Sequence, residues 1–113
     1  MSLYADYVRE VNCGRQIIEI DKVWFLTYYI HKDIGECYIE DMYIHPRYRN
    51  SGLCFKILSG IEDIAKKMKC KQLTHAIVKA HKNFNSIKLI SEKFGFVQCH
   101  ETDKEVYFAK EIA

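Results

Sequence analysis

The sequence predicts a mixed α/β domain, a mostly antiparallel central sheet flanked by helices. Three observations predict it. Between Arg15 and His45 the apolar residues fall in short runs rich in β-branched and aromatic side chains; after Gly52 the period becomes that of a helix; strand-like and helix-like segments then alternate to the end. At 113 residues, 49% hydrophobic and 28% charged, residues 1–113 read as one domain with one core.

Each element follows from its local pattern. "LYADYVREVN" sets Leu3, Tyr7 and Val8 on one helical stripe, and Gly14 stops it. "RQIIEID" is a brief strand, Asp21-Lys22 the turn of a hairpin, and "KVWFLTYYIHKD" a central strand. After the turn "KDIGE", the segment "CYIEDMYIH" alternates, with Tyr38, Glu40, Met42 and Ile44 on one face and Ile39, Asp41, Tyr43 and His45 on the other. Pro46 ends it. Leu53, Ile57, Ile61, Ile64 and Met68 then mark one side of a helix of about four to five turns. "KQLTHAIVKA" is a strand, and "NSIKLISEKF" a helix stopped by Gly95. "GFVQC" and "KEVYFAKEI" are two closing strands able to pair through "HETDK".

Composition excludes little but directs the search. A formal net charge of +2 is too mild to mark a nucleic-acid binder by bulk electrostatics. The longest apolar run, "VWFLTYYI", is far short of the ~20 residues that span a bilayer. The start lacks the basic and apolar regions of a signal peptide, so a cytoplasmic protein without membrane partners is expected. Cys13, Cys37, Cys54, Cys70 and Cys99 form no C-x-x-C pair and have no histidine at ligand spacing, which reads as free thiols and no metal.

One stretch, "HPRYRNSGLCFKIL", gathers the chain's single proline, two arginines and a glycine ahead of a helix. A strand passing through a glycine turn into a helix presents free backbone N–H groups, and those donors with the helix dipole favour an anion. Gly52 allows close approach, and Arg47 and Arg49 add positive charge. This is neither a Walker A loop nor the dinucleotide-binding glycine pattern. The site has the size of a pyrophosphate; a helix start decorated with solvated arginines is the competing reading.

The pattern I-x-P-x-Y-R-x-x-G-L-C-x-x-I-L, over Ile44 to Leu58, resembles the acetyl-CoA-binding motif of the GNAT superfamily of N-acetyltransferases. Arg49, Gly52 and Cys54 fill that family's Arg/Gln-x-x-Gly-x-Gly/Ala positions. Downstream, "NFNSIKLISEKFGF" resembles its Asn-x-x-Ala/Ser-Ile-x-Leu-Tyr-x-Lys-x-Gly-Phe signature, beginning at Asn83. The resemblance, covering roughly Gln16 to Phe108, implies a GNAT-like sheet lacking the family's first strand and helix. It implies acetyl-CoA as co-substrate, with its pyrophosphate on Arg49, Asn50, Ser51, Gly52, Leu53 and Cys54. Asn83 would lie nearby, and the pantetheine arm would run along the backbone of Met42 and Ile44. Two departures stand out: Cys54 replaces glycine or alanine, and the second signature is one residue too long, leaving Ile90 or Ser91 where the family's tyrosine belongs.

Acetyl transfer to an amine needs a polarised carbonyl, a deprotonated amine and a stabilised thiolate. Glu40 is the first choice for the base, matching a strand position where some members carry a catalytic Glu or His. Its tyrosine neighbours and Met42 are expected to desolvate the carboxylate and raise its pKa; a solvated or paired Glu is the alternative. Tyr38 and Tyr43 are candidate replacements for the missing tyrosine. Asp41 points away unless a bulge swaps it with Glu40. His75 and His81 read as structural, and the lysines of "KMKCK" and "KAHK" could gather near the adenosine phosphate or form a solvated face. Cys54, in the first turn of a helix beside Arg49, would have a lowered pKa and alkylate fastest if exposed; a small buried spacer is the expected reading.

Three classes of function stay open. The first is an acetyl-CoA-dependent transferase acting on a primary amine of a small molecule or protein. The second is a degenerate interaction module that binds coenzyme A or nothing. The third is a small nucleic-acid-associated protein using Arg47, Tyr48 and Arg49. A homodimer is compatible with each.

Overall fold

A computed structural model describes residues 2–11 and 14–112; Cys13 lies outside the described residues. The order of elements is that expected. Helix α1 (Leu3–Val11) precedes β1 (Arg15–Ile20), β2 (Trp24–His31) and β3 (Glu36–Ile44); α2 (Leu53–Lys67), β4 (Gln72–Val78), α3 (Phe84–Phe94), β5 (Val97–Glu101) and β6 (Glu105–Glu111) follow. The strands form one sheet in the order β1-β2-β3-β4-β6-β5. All neighbours are antiparallel except β3 and β4, which are parallel because α2 crosses between them.

The core lies between the sheet and the pair α2 and α3. Ile57, Leu58, Ile61 and Ala65 of α2 pack on Leu26, Cys37, Ile39 and Leu73, while Ile87, Ile90 and Phe94 of α3 close the other half over Ile77, Phe96 and Phe108. Helix α1 lies on the opposite face, over β1 and β2. There the expected stripe is corrected: Ala5 and Val8 are buried, whereas Leu3 and Tyr7 are exposed. The small Ala5 and Val8 let α1 sit close to the sheet, where both are fully buried.

Two irregularities in β3 shape everything beyond it. Thr27 pairs with Asp41 and Tyr28 with Ile39, so Glu40 is an extra, bulged residue. The expected alternation therefore breaks at Glu40. Before it Cys37 and Ile39 face the core; after it Met42 and Ile44 do, while Tyr38, Glu40, Asp41 and Tyr43 all share the α1 face with Thr27, Tyr29 and Phe25. The second irregularity is a splay. β3 and β4 pair only from Glu36–Gln72 to Ile39–His75, although β3 runs on to Ile44 and β4 to Val78.

Candidate active site

The turn after β3 is built by its own side chains. His45 Nδ1 accepts from the Arg47 amide at 3.1 Å, and the Ser51 hydroxyl donates to the Tyr48 carbonyl at 2.7 Å. Pro46–Tyr48 make one 3-10 turn, Asn50 takes φ +61°, and Gly52 takes φ +79° immediately before α2. A Cβ on Gly52 would meet no protein atom within 4 Å, so the space above the turn is open to an approaching group. The first helical bond runs from the Lys56 amide to the Gly52 carbonyl. Ahead of it the amides of Leu53, Cys54 and Phe55 are donors that a helix leaves without an internal partner. No acidic residue stands in this first turn.

Arg49 is only partly committed to that turn. Its Nε donates to the Ile44 carbonyl at 2.8 Å, and its guanidinium lies 5.4 Å from the centre of the Tyr43 ring. It therefore clamps the end of β3 as well as adding charge. Asn83 caps α3, whose N-terminus, like that of α2, lies at the C-terminal end of the parallel strand pair. The "KMKCK" lysines stand apart from them: Lys67 ends α2 and the others follow it, one helix length or about 22 Å from Gly52. Those of "KAHK" follow β4, at the same end as the turn.

Glu40 is placed differently from the expected desolvated base. Oε1 accepts from the Thr27 hydroxyl at 2.9 Å, while Oε2 accepts from Arg15 Nη2 at 2.9 Å and the Tyr29 hydroxyl at 3.2 Å. Met42, expected beside it, faces the core instead, because the bulge separates the two. Arg15 and Thr27 were not legible as partners, since their approach depends on strand register. Tyr38 is half-buried, and burial, with the charges of Glu105, Tyr107, Glu40 and Glu36, pushes its phenol up from the ordinary value. It remains a proton carrier at neutral pH. Tyr43 is exposed, stacked on Phe25 and held by Arg49.

Other expectations on this region change. Burial pushes the Cys54 thiol up, because its side chain packs against the core, which favours the spacer reading over the activated thiolate. Ser91 is buried with its hydroxyl 2.9 Å from His75 Nε2, and Ile90 also packs inward, so neither faces the open turn. Burial drives the His75 pKa down to about 4, leaving a neutral ring stacked on Phe108. Among the described residues no group of side chains could hold a metal ion, and no helix is long and apolar enough to cross a membrane.

The open splay, the glycine turn and the bare helix start follow one another along the chain, and the sequence matches a known family. The model of the acetyltransferase (GNAT) family matches residues 3–96. The chain belongs to this family. Solved structures share the fold at low identity. A GNAT-family protein of Desulfovibrio desulfuricans has a TM-score of 0.79 and 16% identity, over 96% of this chain and 76% of its own. PaiA N-acetyltransferase of Thermoplasma acidophilum, solved with coenzyme A, has a TM-score of 0.76 and 15% identity, over 96% and 68%. A GNAT acetyltransferase of Elizabethkingia anophelis, with acetyl-CoA bound, has a TM-score of 0.74 and 11% identity, over 94% and 82%. No curated protein sequence matches significantly.

Proposed function

We propose that this GNAT protein is an acetyl-CoA-dependent N-acetyltransferase acting on a primary amine. The observation that carries the reading is the splay of β3 from β4, which opens directly onto the amides ahead of α2. Residues 50–54 and Arg49 would hold the pyrophosphate, Asn83 would reach it from α3, and the free edge of β3 at Met42–Ile44 would bond the pantetheine arm and thioester. The fit is physical: an anion needs unpaired N–H donors, and an extended amide chain needs an unpaired strand edge.

In this reading Glu40 takes the ammonium proton. Thr27 occupies only one lone pair of Oε1, so a second donor can still approach that oxygen. The amine nitrogen bonds the thioester carbon as the C–S bond breaks. Of the two protons the nitrogen loses, one passes to Glu40 and the other restores the proton that Tyr38 gives the departing sulfur. Tyr38, kept protonated by its surroundings, suits that donor role, whereas Tyr43 is held by Arg49.

Calorimetric titration with acetyl-CoA and desulfo-CoA tests the cofactor site; absence of binding by both overturns the reading. Glu40→Gln should then keep acetyl-CoA affinity and lose on the order of 10²–10⁴ in turnover across a panel of amines. A variant with unchanged turnover removes Glu40 from the chemistry. The ion pair with Arg15 favours a second reading, a coenzyme A-binding module without turnover, which tight binding and an inert amine panel would select.

A further inference from the structure

Glu40 is gripped from two other strands. It stands on the bulge of β3, and its carboxylate meets the side chains of Thr27 and Tyr29 on β2. From β1, Arg15 lies opposite Tyr29 in register, and its guanidinium forks. Nε donates to the Tyr29 hydroxyl at 3.2 Å, and Nη2 donates to Glu40 Oε2 at 2.9 Å. The Tyr29 hydroxyl donates in turn to the same Oε2 at 3.2 Å, which closes a ring of three side chains. β1 and β3 are not neighbours; β2 runs between them, so the ring spans two strand spacings of about 4.8 Å each. Bridging that gap takes a long side chain with donors at two points, one for the tyrosine on the way and one for the carboxylate beyond it. Arginine has both.

The ring leaves the carboxylate one opening. Oε2 accepts from Arg15 and from Tyr29, which fills its two lone pairs, whereas Oε1 accepts only from the fully buried Thr27. The group is fixed in rotation with a single acceptor position free. Asp41, next in the chain and on the same face, has no such hold among the described residues. We propose that Arg15 is a positioning residue for acetyl transfer: through Oε2 and Tyr29 it aims the free lone pair of Glu40 Oε1 at the amine. The inference rests on the transferase reading and goes beyond it, because it gives the ion pair a task in turnover. A blocking cation would have to cover Oε1, and Arg15 bonds Oε2 alone. Losing the aim costs rate rather than cofactor binding. A displacement of about 1 Å at a reacting group can lower turnover on the order of 10²-fold. None of the Arg15 bonds reaches the glycine turn.

Steady-state kinetics of Arg15→Met, Tyr29→Phe and Glu40→Gln, singly and paired, test the assignment with the fastest amine of the panel. Arg15→Met should lower kcat about ten- to a hundredfold and leave the KM and calorimetric affinity for acetyl-CoA unchanged. Tyr29→Phe, which removes one bond of the ring, should lower kcat about three- to tenfold. In the Glu40→Gln background, either change should move kcat less than about twofold, because no carboxylate is left to aim. An arginine that only supports the sheet would cost the same in both backgrounds. Thermal denaturation checks the fold, and Tyr29→Phe carries the test if Arg15→Met does not fold. With Glu40→Gln impaired, a ring variant that keeps or exceeds the parent's kcat, or that loses equally in both backgrounds, overturns the proposal and leaves Glu40 as the base. A parent inert to every amine, or a Glu40→Gln variant as active as the parent, overturns the transferase reading or its base, and the proposal with it.

Discussion

Helices α2 and α3 begin at the same end of the parallel strand pair, yet their starts differ. Before α3, the Asn83 amide donates to His81 Nδ1 at 3.0 Å and the Phe84 amide to the His81 carbonyl at 3.0 Å, so two of the amides leading into the helix are taken, although Asn83 makes no side-chain cap. Before α2, Gly52 offers no capping side chain, its φ of +79° turns the backbone outward, and an arginine stands behind it. The difference is one of degree: neither helix has a side-chain cap, but His81 takes the first free amide of α3, whereas the turn before α2 takes none of those of Leu53, Cys54 and Phe55 among the described residues.

The sharpest way to break the comparison is to fill the α2 start. Gly52→Val should weaken acetyl-CoA binding at least about a hundredfold, because a β-branched residue resists the positive φ and projects into the open space. Asn83→Ala should cost less than about tenfold, since α3 offers one side chain rather than a row of amides. Calorimetry with thermal denaturation separates lost binding from lost fold, and equal losses at the two helices would end the distinction.

Next in size is the anchoring of α3 to β4. His75 is held at a pKa of about 4, below its ordinary 6.5, so the unfolded chain binds the proton first as pH falls. Stability should be full above pH 6.5 and fall by about 3 kcal/mol towards pH 4 through this group. His75→Leu/Ser91→Ala, which removes both polar partners, should flatten that part of the slope in urea titrations at matched pH values. A slope as steep as the parent's would place the acid sensitivity elsewhere.

Arg49→Ala is smaller still. We expect a loss of about three- to tenfold in acetyl-CoA affinity, larger at low salt, because an exposed cation acts through a screened field. Loss of the bond to the Ile44 carbonyl should also loosen the end of β3, which amide hydrogen exchange would report. Smallest is the change at Cys54. Half-buried and raised by burial, it should alkylate several-fold more slowly than the exposed Cys99, with buried Cys37, held at about 12, slowest. Mass spectrometry after brief alkylation reads this order directly, and a fast Cys54 would restore the activated thiol.

Much of this molecule was legible before its coordinates. The α-helices and strands of the described residues follow from periodicity, because each has a clean change of period or a glycine, proline or polar turn at its end. Gly52 and the open helix start were legible because they are local: one residue type fixes the dihedral. The bulge at Glu40 was not, since period-two alternation reads straight through it and only pairing with Thr27 and Tyr28 shows the extra residue. Its effects were hidden with it: the phase of Met42 and Ile44, the company of Glu40, and the bond from Arg15, 25 positions away in sequence. Alternation in "EVYFAKE" puts Glu105 and Tyr107 on one face, but the strand order was needed to place them on the same face of the sheet as Tyr38. At Cys54 backbone position alone left two readings open, and packing against the core decides for the buried spacer.

The splay has a mechanical consequence. It divides the sheet into two three-stranded plates, β1–β2–β3 and β4–β6–β5, stitched by the short run from Glu36–Gln72 to Ile39–His75 and strapped by α2. The open length is a seam unzipped from one end. A chain that bonded to both lips of the seam would work as a splint, adding rungs where the sheet has none and stiffening one plate against the other, and the amides at the vertex, near Ile39 and His75, are where amide exchange would report it.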